Sequence, residues 1–246
     1  MQDEYQSPQS PTAIIEDSYS YTEAVSLPAV KLRQVDSAPS DFFRYRVLKR
    51  FIDIVLVLIS TPVTLPLLGI VAAVVMLSSP GPILYSHRRI RKNGAFFSMW
   101  KFRTMCLNSA EVLEEYLSKH PPARTEWNKT QKLRGDPRIT PIGGFLRRYS
   151  LDELPQLWNV LTGQMTLVGP RPIVAAEVEK YNDSFDCYCR VKPGLTGLWQ
   201  VSGRSELSYD ARVELDCDYV NRWSLRRDAV ILLKTFSTVL KQDGAF

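Results

Sequence analysis

The chain has 246 residues, enough for one domain with a sizeable core plus a tail. Its apolar share of 45% excludes a wholly disordered chain, and four scattered cysteines exclude a disulfide framework and point to a reducing compartment. The net charge of +5 is uneven: residues 1–40 hold six acids and two bases, whereas the rest holds 29 bases and 20 acids, a balance suited to phosphates, nucleotides, a lipid surface or nucleic acid.

Residues 1–40 are rich in Ser, Pro, Tyr and acids, lack a sustained period, and are expected to form a disordered acidic, polar tail. They show no basic n-region or apolar h-region, so no signal peptide is expected. Residues 41–80 form the second unit, with an amphipathic start. From Ile54 to Ser79 there is no charge over 26 positions, and a straight helix of that length extends about 39 Å, more than a bilayer core of about 30 Å. Pro62 and Pro66 lie inside the run and predict a bend near Ser60-Thr61-Pro62, where a hydroxyl of Ser60 or Thr61 can occupy a carbonyl released by the break. Arg44, Arg46, Lys49 and Arg50 precede the run, and Arg88, Arg89, Arg91 and Lys92 follow it. Cytoplasmic loops carry an excess of Lys and Arg, so both flanks are expected on the same face. That favours a helix that dips into one leaflet and returns over a bent single span.

Residues 81–246 are expected to form the third unit. Ile83-Leu84-Tyr85 and Phe96 to Trp100 read as strands, with Asn93-Gly94 as a hairpin signal. Residues 109–118 read as a helix and 120–144 as a polar loop. Helices are predicted near 151–162, 174–181 and 208–221, and a Gly-rich loop over 192–206. The apolar, basic stretch 223–241 suits either the headgroup plane or packing on the domain. The fold class is α+β, mostly helical with a small β-hairpin. Cys187-Tyr-Cys189 lacks a second ligand pair, so structural zinc is not expected.

Three phrases can carry chemistry. In Ser150-Leu151-Asp152-Glu153-Leu154-Pro155-Gln156, two carboxylates adjoin at a helix start. Ser150 and Glu153 have capping-box spacing, and Pro155 in a first turn makes Asp152 an alternative N-cap. The same pair, near Arg134, Arg138, Arg147 and Arg148, suits a divalent cation and attack on a phosphoryl group. In Val168-Gly169-Pro170-Arg171-Pro172, two prolines aim one arginine, as bidentate phosphate binding requires; a solvated basic face beside anionic lipid is the other reading. In Lys192 to Arg204, glycines allow close backbone approach to a ligand, Thr196, Gln200 and Ser202 offer hydrogen bonds, Arg204 a charge and Trp199 a stacking face. A turn-rich structural loop fits that segment as well.

These phrases, with Lys101-Phe102-Arg103-Thr104-Met105, Asp136-Pro137-Arg138-Ile139-Thr140 and Trp223-Ser224-Leu225, resemble the bacterial sugar transferase family over residues 44–246, the monotopic phosphoglycosyl transferases. The resemblance implies a re-entrant membrane helix, interfacial helices and a cytosolic catalytic domain at the bacterial inner membrane. The implied reaction moves a hexose-1-phosphate from a UDP-sugar to undecaprenyl phosphate and releases UMP, an initiating step of polysaccharide assembly. By resemblance Asp152 is the nucleophile, forming a phosphoaspartyl intermediate with Mg²⁺. Glu153 supports the metal or receives a proton. Lys101, Arg103, Arg147 and Arg171 bind substrate phosphate, and Gly194, Thr196, Gly197, Gln200 and Arg204 bind the nucleotide sugar. Thr61 and Pro62 form the helix break, with Thr61 where Ser is common, and Gly144 stands where a base is common. The chain looks like a compact form without the multi-span N-terminal region of longer relatives. Ile173-Val174 and Glu177 resemble enzymes using galactose or glucose. Implied partners are the UDP-sugar, undecaprenyl phosphate and membrane lipid, with no nucleic acid; a homodimer is left open. A non-enzymatic membrane adaptor and a membrane-anchored phosphohydrolase are the competing readings of the same residues.

Overall fold

A computed structural model describes residues 15–16, 43–130, 133–204 and 207–241. The tail expected over 1–40 therefore lies outside the described residues apart from β1 (Ile15–Glu16), which runs parallel to Tyr85 and Ser86.

Helix α1 (Phe43–Ser78) is one helical run with Pro62 and Pro66 inside it, so the turn at Ser60-Thr61-Pro62, where a bend is expected, does not end the helix. Each proline deletes a single backbone donor, and the turns on either side keep theirs. Thr61 does supply a hydroxyl: its Oγ1 donates to the Val57 carbonyl at 3.0 Å, and Ser60 Oγ donates to the same carbonyl at 2.8 Å. It is the one helix among the described residues long and apolar enough to cross a membrane.

Both ends of α1 are tied to the rest of the protein, and its middle is not. At the first end, Lys49 pairs with the buried Asp228 at 2.5 Å, and Arg50 donates to the carbonyls of Val160 and Leu161. Asp53 accepts from Thr166 Oγ1 at 2.6 Å and from the Leu167 amide at 3.1 Å. Val57 packs with Phe97, Met99, Val160 and Met165. At the far end, Val71 and Val75 pack with Phe102 and Leu146. Between them Leu58, Ile59, Val63 and Leu65 are exposed, Val63 at 72%. Each such side chain forgoes about 1.5–3 kcal/mol of burial in water, so this stretch calls for an apolar surrounding.

The predicted hairpin is present as β2 (Leu84–Ile90) and β3 (Phe96–Phe102), antiparallel from Leu84↔Phe102 to Ile90↔Phe96. Asn93 and Gly94 take positive φ at its turn, the conformation that favours this dipeptide. Helix α2 (Ser109–Lys119) matches its forecast. The loop expected over 120–144 does not: α3 (Pro121–Thr130) and α4 (Pro141–Arg148) lie there. Thr140 caps α4 by accepting the Gly143 amide at 2.9 Å, with Pro141 at the first helical position, where its missing donor costs nothing.

The helix expected from 151 begins as a tight 3₁₀ turn, Leu151–Glu153, and becomes α5 only at Gln156–Leu161. Two three-residue strands, β4 (Thr166–Val168) and β5 (Gly194–Thr196), pair in parallel. The span 174–181 is a 3₁₀ turn followed by α6 (Val178–Tyr181), and α7 (Phe185–Cys189) follows. Helix α8 (Tyr209–Asn221) is as expected. Helix α9 (Leu225–Lys241) packs on the domain along one face, as one of the two readings of the C-terminus expects. It buries Ile231 and Asp228, the latter accepting from Tyr219 and Trp223, while exposing Leu233 and Phe236.

Candidate active site

The carboxylate pair stands on the 3₁₀ turn. Ser150 enters it with φ of 56°, a left-handed conformation that swings the chain sharply out of α4. No side chain caps the turn, and α5 starts behind Pro155, so neither capping role expected for Ser150 and Asp152 is taken up. The two carboxylates point to cations instead.

Lys101, on β3, lies between them: its Nζ is 2.7 Å from Glu153 Oε1 and 3.8 Å from Asp152 Oδ2. Arg171 Nη2 reaches the same Glu153 oxygen at 3.3 Å. Arg147 leaves the end of α4 and donates from Nε to Thr104 Oγ1 at 2.8 Å, with both carboxylates within its electrostatic reach. Five residues from four parts of the chain thus form one mixed cluster, with one more cation than anion.

The two carboxylates are driven apart. Burial acts to raise Glu153, but Lys101 and then Arg171 outweigh it and hold the carboxyl down at about 2. Burial raises Asp152, Lys101 opposes the rise, and the neighbouring Glu153 charge adds to it. Glu153 is therefore the fixed anion, and Asp152, 7% exposed, is the carboxylate whose protonation is adjustable.

Arg171 is aimed by its loop. Gly169 N donates to Thr196 O at 2.8 Å, Gly194 N to Pro170 O at 2.7 Å, and Arg89 Nη1 to Pro172 O at 3.2 Å. Arg89 was read from sequence only as membrane-flanking charge. Strand alternation from Tyr85, which faces Lys101 in the hairpin register, is the signal that brings it to this face.

Other expected site residues are engaged elsewhere. Arg103 donates to the carbonyls of Pro80 and Ser79, each at 2.7 Å, and to Ser79 Oγ at 2.9 Å, so it clamps the exit of α1 rather than joining the cluster. Gly194 and Gly197 serve chain packing: a Cβ on Gly194 would stand 2.1 Å from Gly169 N, and one on Gly197 2.4 Å from Gly169 O. Thr196 Oγ1 meets Thr235 Oγ1 of α9 at 2.7 Å. Trp199 is covered by the Arg212 guanidinium, 4.9 Å from the ring centre. Gln200 and Arg204 sit on the turn after β5, where Arg204 Nε donates to Gln200 O at 3.3 Å.

Residues 44–242 match the family described as bacterial sugar transferase. The chain belongs to that family. The chain is 52% identical over 201 residues to a UDP-galactose-lipid carrier transferase of Erwinia amylovora, covering 82% of this chain and 42% of that protein. It is 51% identical over 201 residues to an undecaprenyl-phosphate galactose phosphotransferase of Salmonella typhimurium, with the same coverage. It is 46% identical over 198 residues to the exopolysaccharide production protein ExoY of Sinorhizobium fredii, covering 80% of this chain and 88% of that one. The chain thus spans about two fifths of the length of the first two relatives.

Among the described residues no three His, Cys, Asp or Glu side chains converge as a metal cage. The donor set present is Asp152 with Glu153. Magnesium is commonly bound through one or two carboxylates, with substrate phosphates and waters completing its shell, so this pair fits that ion.

Proposed function

We propose that this protein transfers a hexose-1-phosphate from a UDP-sugar to undecaprenyl phosphate and releases UMP, beginning the assembly of an exopolysaccharide, capsule or O-antigen. The observation that carries the reading is the division of the carboxylate pair: Glu153 is consumed by Lys101 and Arg171, whereas Asp152 meets Lys101 at 3.8 Å and feels Arg147 and Arg171 at longer range. A buried carboxylate held close to cations but not locked to them is suited to attack phosphorus.

In the first step an Asp152 Oδ lone pair bonds to the β-phosphorus of the donor. The bond from that phosphorus to the bridging oxygen breaks, and UMP departs with the electron pair. In the second step an acceptor phosphate oxygen attacks the same phosphorus, the Asp–phosphorus bond breaks, and the Asp152 carboxylate is restored. Lys101, Arg147 and Arg171 neutralise the oxygens in both steps. Glu153, with its carboxyl held at about 2, is a weak base; it aims Lys101 and Arg171 and helps hold the metal. Mg²⁺, held by Asp152 and Glu153, would supply Lewis-acid neutralisation of the diphosphate.

Galactose is the favoured hexose, because the Erwinia and Salmonella relatives are named for it. Protein in native membranes, given Mg²⁺ and undecaprenyl phosphate, is expected to release UMP from UDP-galactose faster than from other UDP-sugars. Release of free sugar phosphate without the lipid would mark a hydrolase instead.

We also infer that α1 dips into one leaflet, with the catalytic domain on the cytoplasmic face. Asp53 and Val75 are 22 residues apart, about 33 Å along a straight helix, yet both ends of α1 contact one domain while apolar side chains along its length, Phe51, Ile59, Val63 and Leu77 among them, stay exposed. Single-cysteine labelling should find positions 44 and 88 on the same side; opposite accessibility would refute the dip.

A further inference from the structure

Gln156 opens α5, one turn after the carboxylate pair. The chain between is wound by i→i+3 bonds: Glu153 N to Ser150 O, Leu154 N to Leu151 O, and Leu157 N to Leu154 O. Leu154 and Pro155 keep right-handed helical angles. Residues three apart eclipse in such a turn, so Gln156 follows on the face of the turn that carries Glu153. Two contacts fix how this segment lies on β3. Glu153 meets Lys101, and Asn159 meets Ser98 O at 2.8 Å and Trp100 N at 3.1 Å. Gln156 falls between those anchors.

The two amides of α5 contrast sharply. Asn159 is fully buried with its amide satisfied, since it also donates to Gln164 Oε1 at 2.6 Å. Gln156 is only 2% exposed, yet its Nε2 has no hydrogen-bond partner. Leaving a buried amide donor unpaired costs about 1–3 kcal/mol, and native proteins rarely accept that without a reason. A donor one turn from a reacting carboxylate has such a reason when its acceptor arrives with the substrate.

We propose that Gln156 is a further catalytic residue, whose side-chain amide donates to a non-bridging oxygen of the phosphoryl group while that group is passed to and from Asp152. The inference rests on the transferase reading above. It assigns Nε2 to an oxygen that gains charge in each transition state, inside a site where water is excluded and a preorganised donor is most effective.

Gln156→Met keeps the length and volume of the side chain and removes its donors. Phosphoenzyme formation, read as the single-turnover burst of UMP, is expected to slow by about 10²–10³-fold, as on removal of one donor from an oxyanion site. The KM for the UDP-sugar should stay within about threefold of wild type, and the melting temperature in detergent should hold or rise, because an unpaired buried donor has been deleted. Gln156→Asn, which retains the amide one methylene short, should fall between the two. A Met variant with a wild-type burst overturns the role. So does a Met variant whose activity and melting temperature fall together, since that is the mark of a purely structural amide. Wild-type protein in the same preparation tests the transferase reading itself; no UMP release there overturns both.

Discussion

Asp152→Asn is expected to lower UMP release by at least about 10³-fold and to abolish labelling of the protein by a donor carrying radioactive β-phosphate. The substitution preserves shape and removes the one carboxylate of the cluster not locked in an ion pair. Folding should not suffer. Burial and the Glu153 charge raise the Asp152 carboxyl, which means the folded state disfavours its ionised form relative to the unfolded chain. A neutral isostere relieves that penalty, so the melting temperature should be equal or higher above the ordinary carboxylate range. Loss of activity with retained stability separates this reading from an adaptor that works through its basic face, for which Asp152→Asn would be silent. Full activity in the variant would remove Asp152 as nucleophile.

What was legible from sequence follows from the range of each interaction. The hairpin was readable because Asn93-Gly94 dictates its own backbone, α2 because its apolar period is local, and α8 because Ser208 caps it within its own first turn. Helix α4 had a local signal too, Thr140-Pro141 as cap and first residue, but its two glycines disguised it as loop. Strands β4 and β5 are three residues each, shorter than any alternation can register, and they exist because each supplies the other's hydrogen bonds across the chain. Without that pairing the second demand on Gly194 and Gly197, their close packing against Gly169, could not be read from the sequence.

Within the site, residue types were legible and partnerships were not. Lys101 and Arg103 are two positions apart and equally basic, yet one joins the carboxylates and the other holds the Ser79–Pro80 carbonyls, a choice made by where α1 leaves the domain. The two prolines of α1 were read by their local rule, loss of a donor and a steric clash. The helix nonetheless runs through them, with Ser60 and Thr61 on the Val57 carbonyl.

Glu153→Gln is expected to move the acid limb of the pH–rate profile to lower pH while lowering the plateau by about 10–100-fold. The nucleophile works when ionised, so activity is present above the Asp152 pKa and is lost as pH falls through it. In the wild type, burial raises that pKa, Lys101 opposes it, and the Glu153 charge reinforces it, so the limb lies above the ordinary aspartate range. Removing the Glu153 charge deletes one raising influence. It also frees Lys101, now 2.7 Å from Glu153 and 3.8 Å from Asp152, and Arg171, 3.3 Å from Glu153, to act on Asp152 alone. Both changes favour the ionised nucleophile. The plateau nevertheless falls, because cations that pair with Asp152 are withdrawn from substrate phosphate and one metal-holding carboxylate is gone. A rate deficit and an easier ionisation thus travel together, a combination that a merely damaged fold does not produce. Initial rates from pH 4 to 9 in native membranes read both at once, and an acid limb that stays in place would overturn the assignment of Glu153 as the charge that sets Asp152.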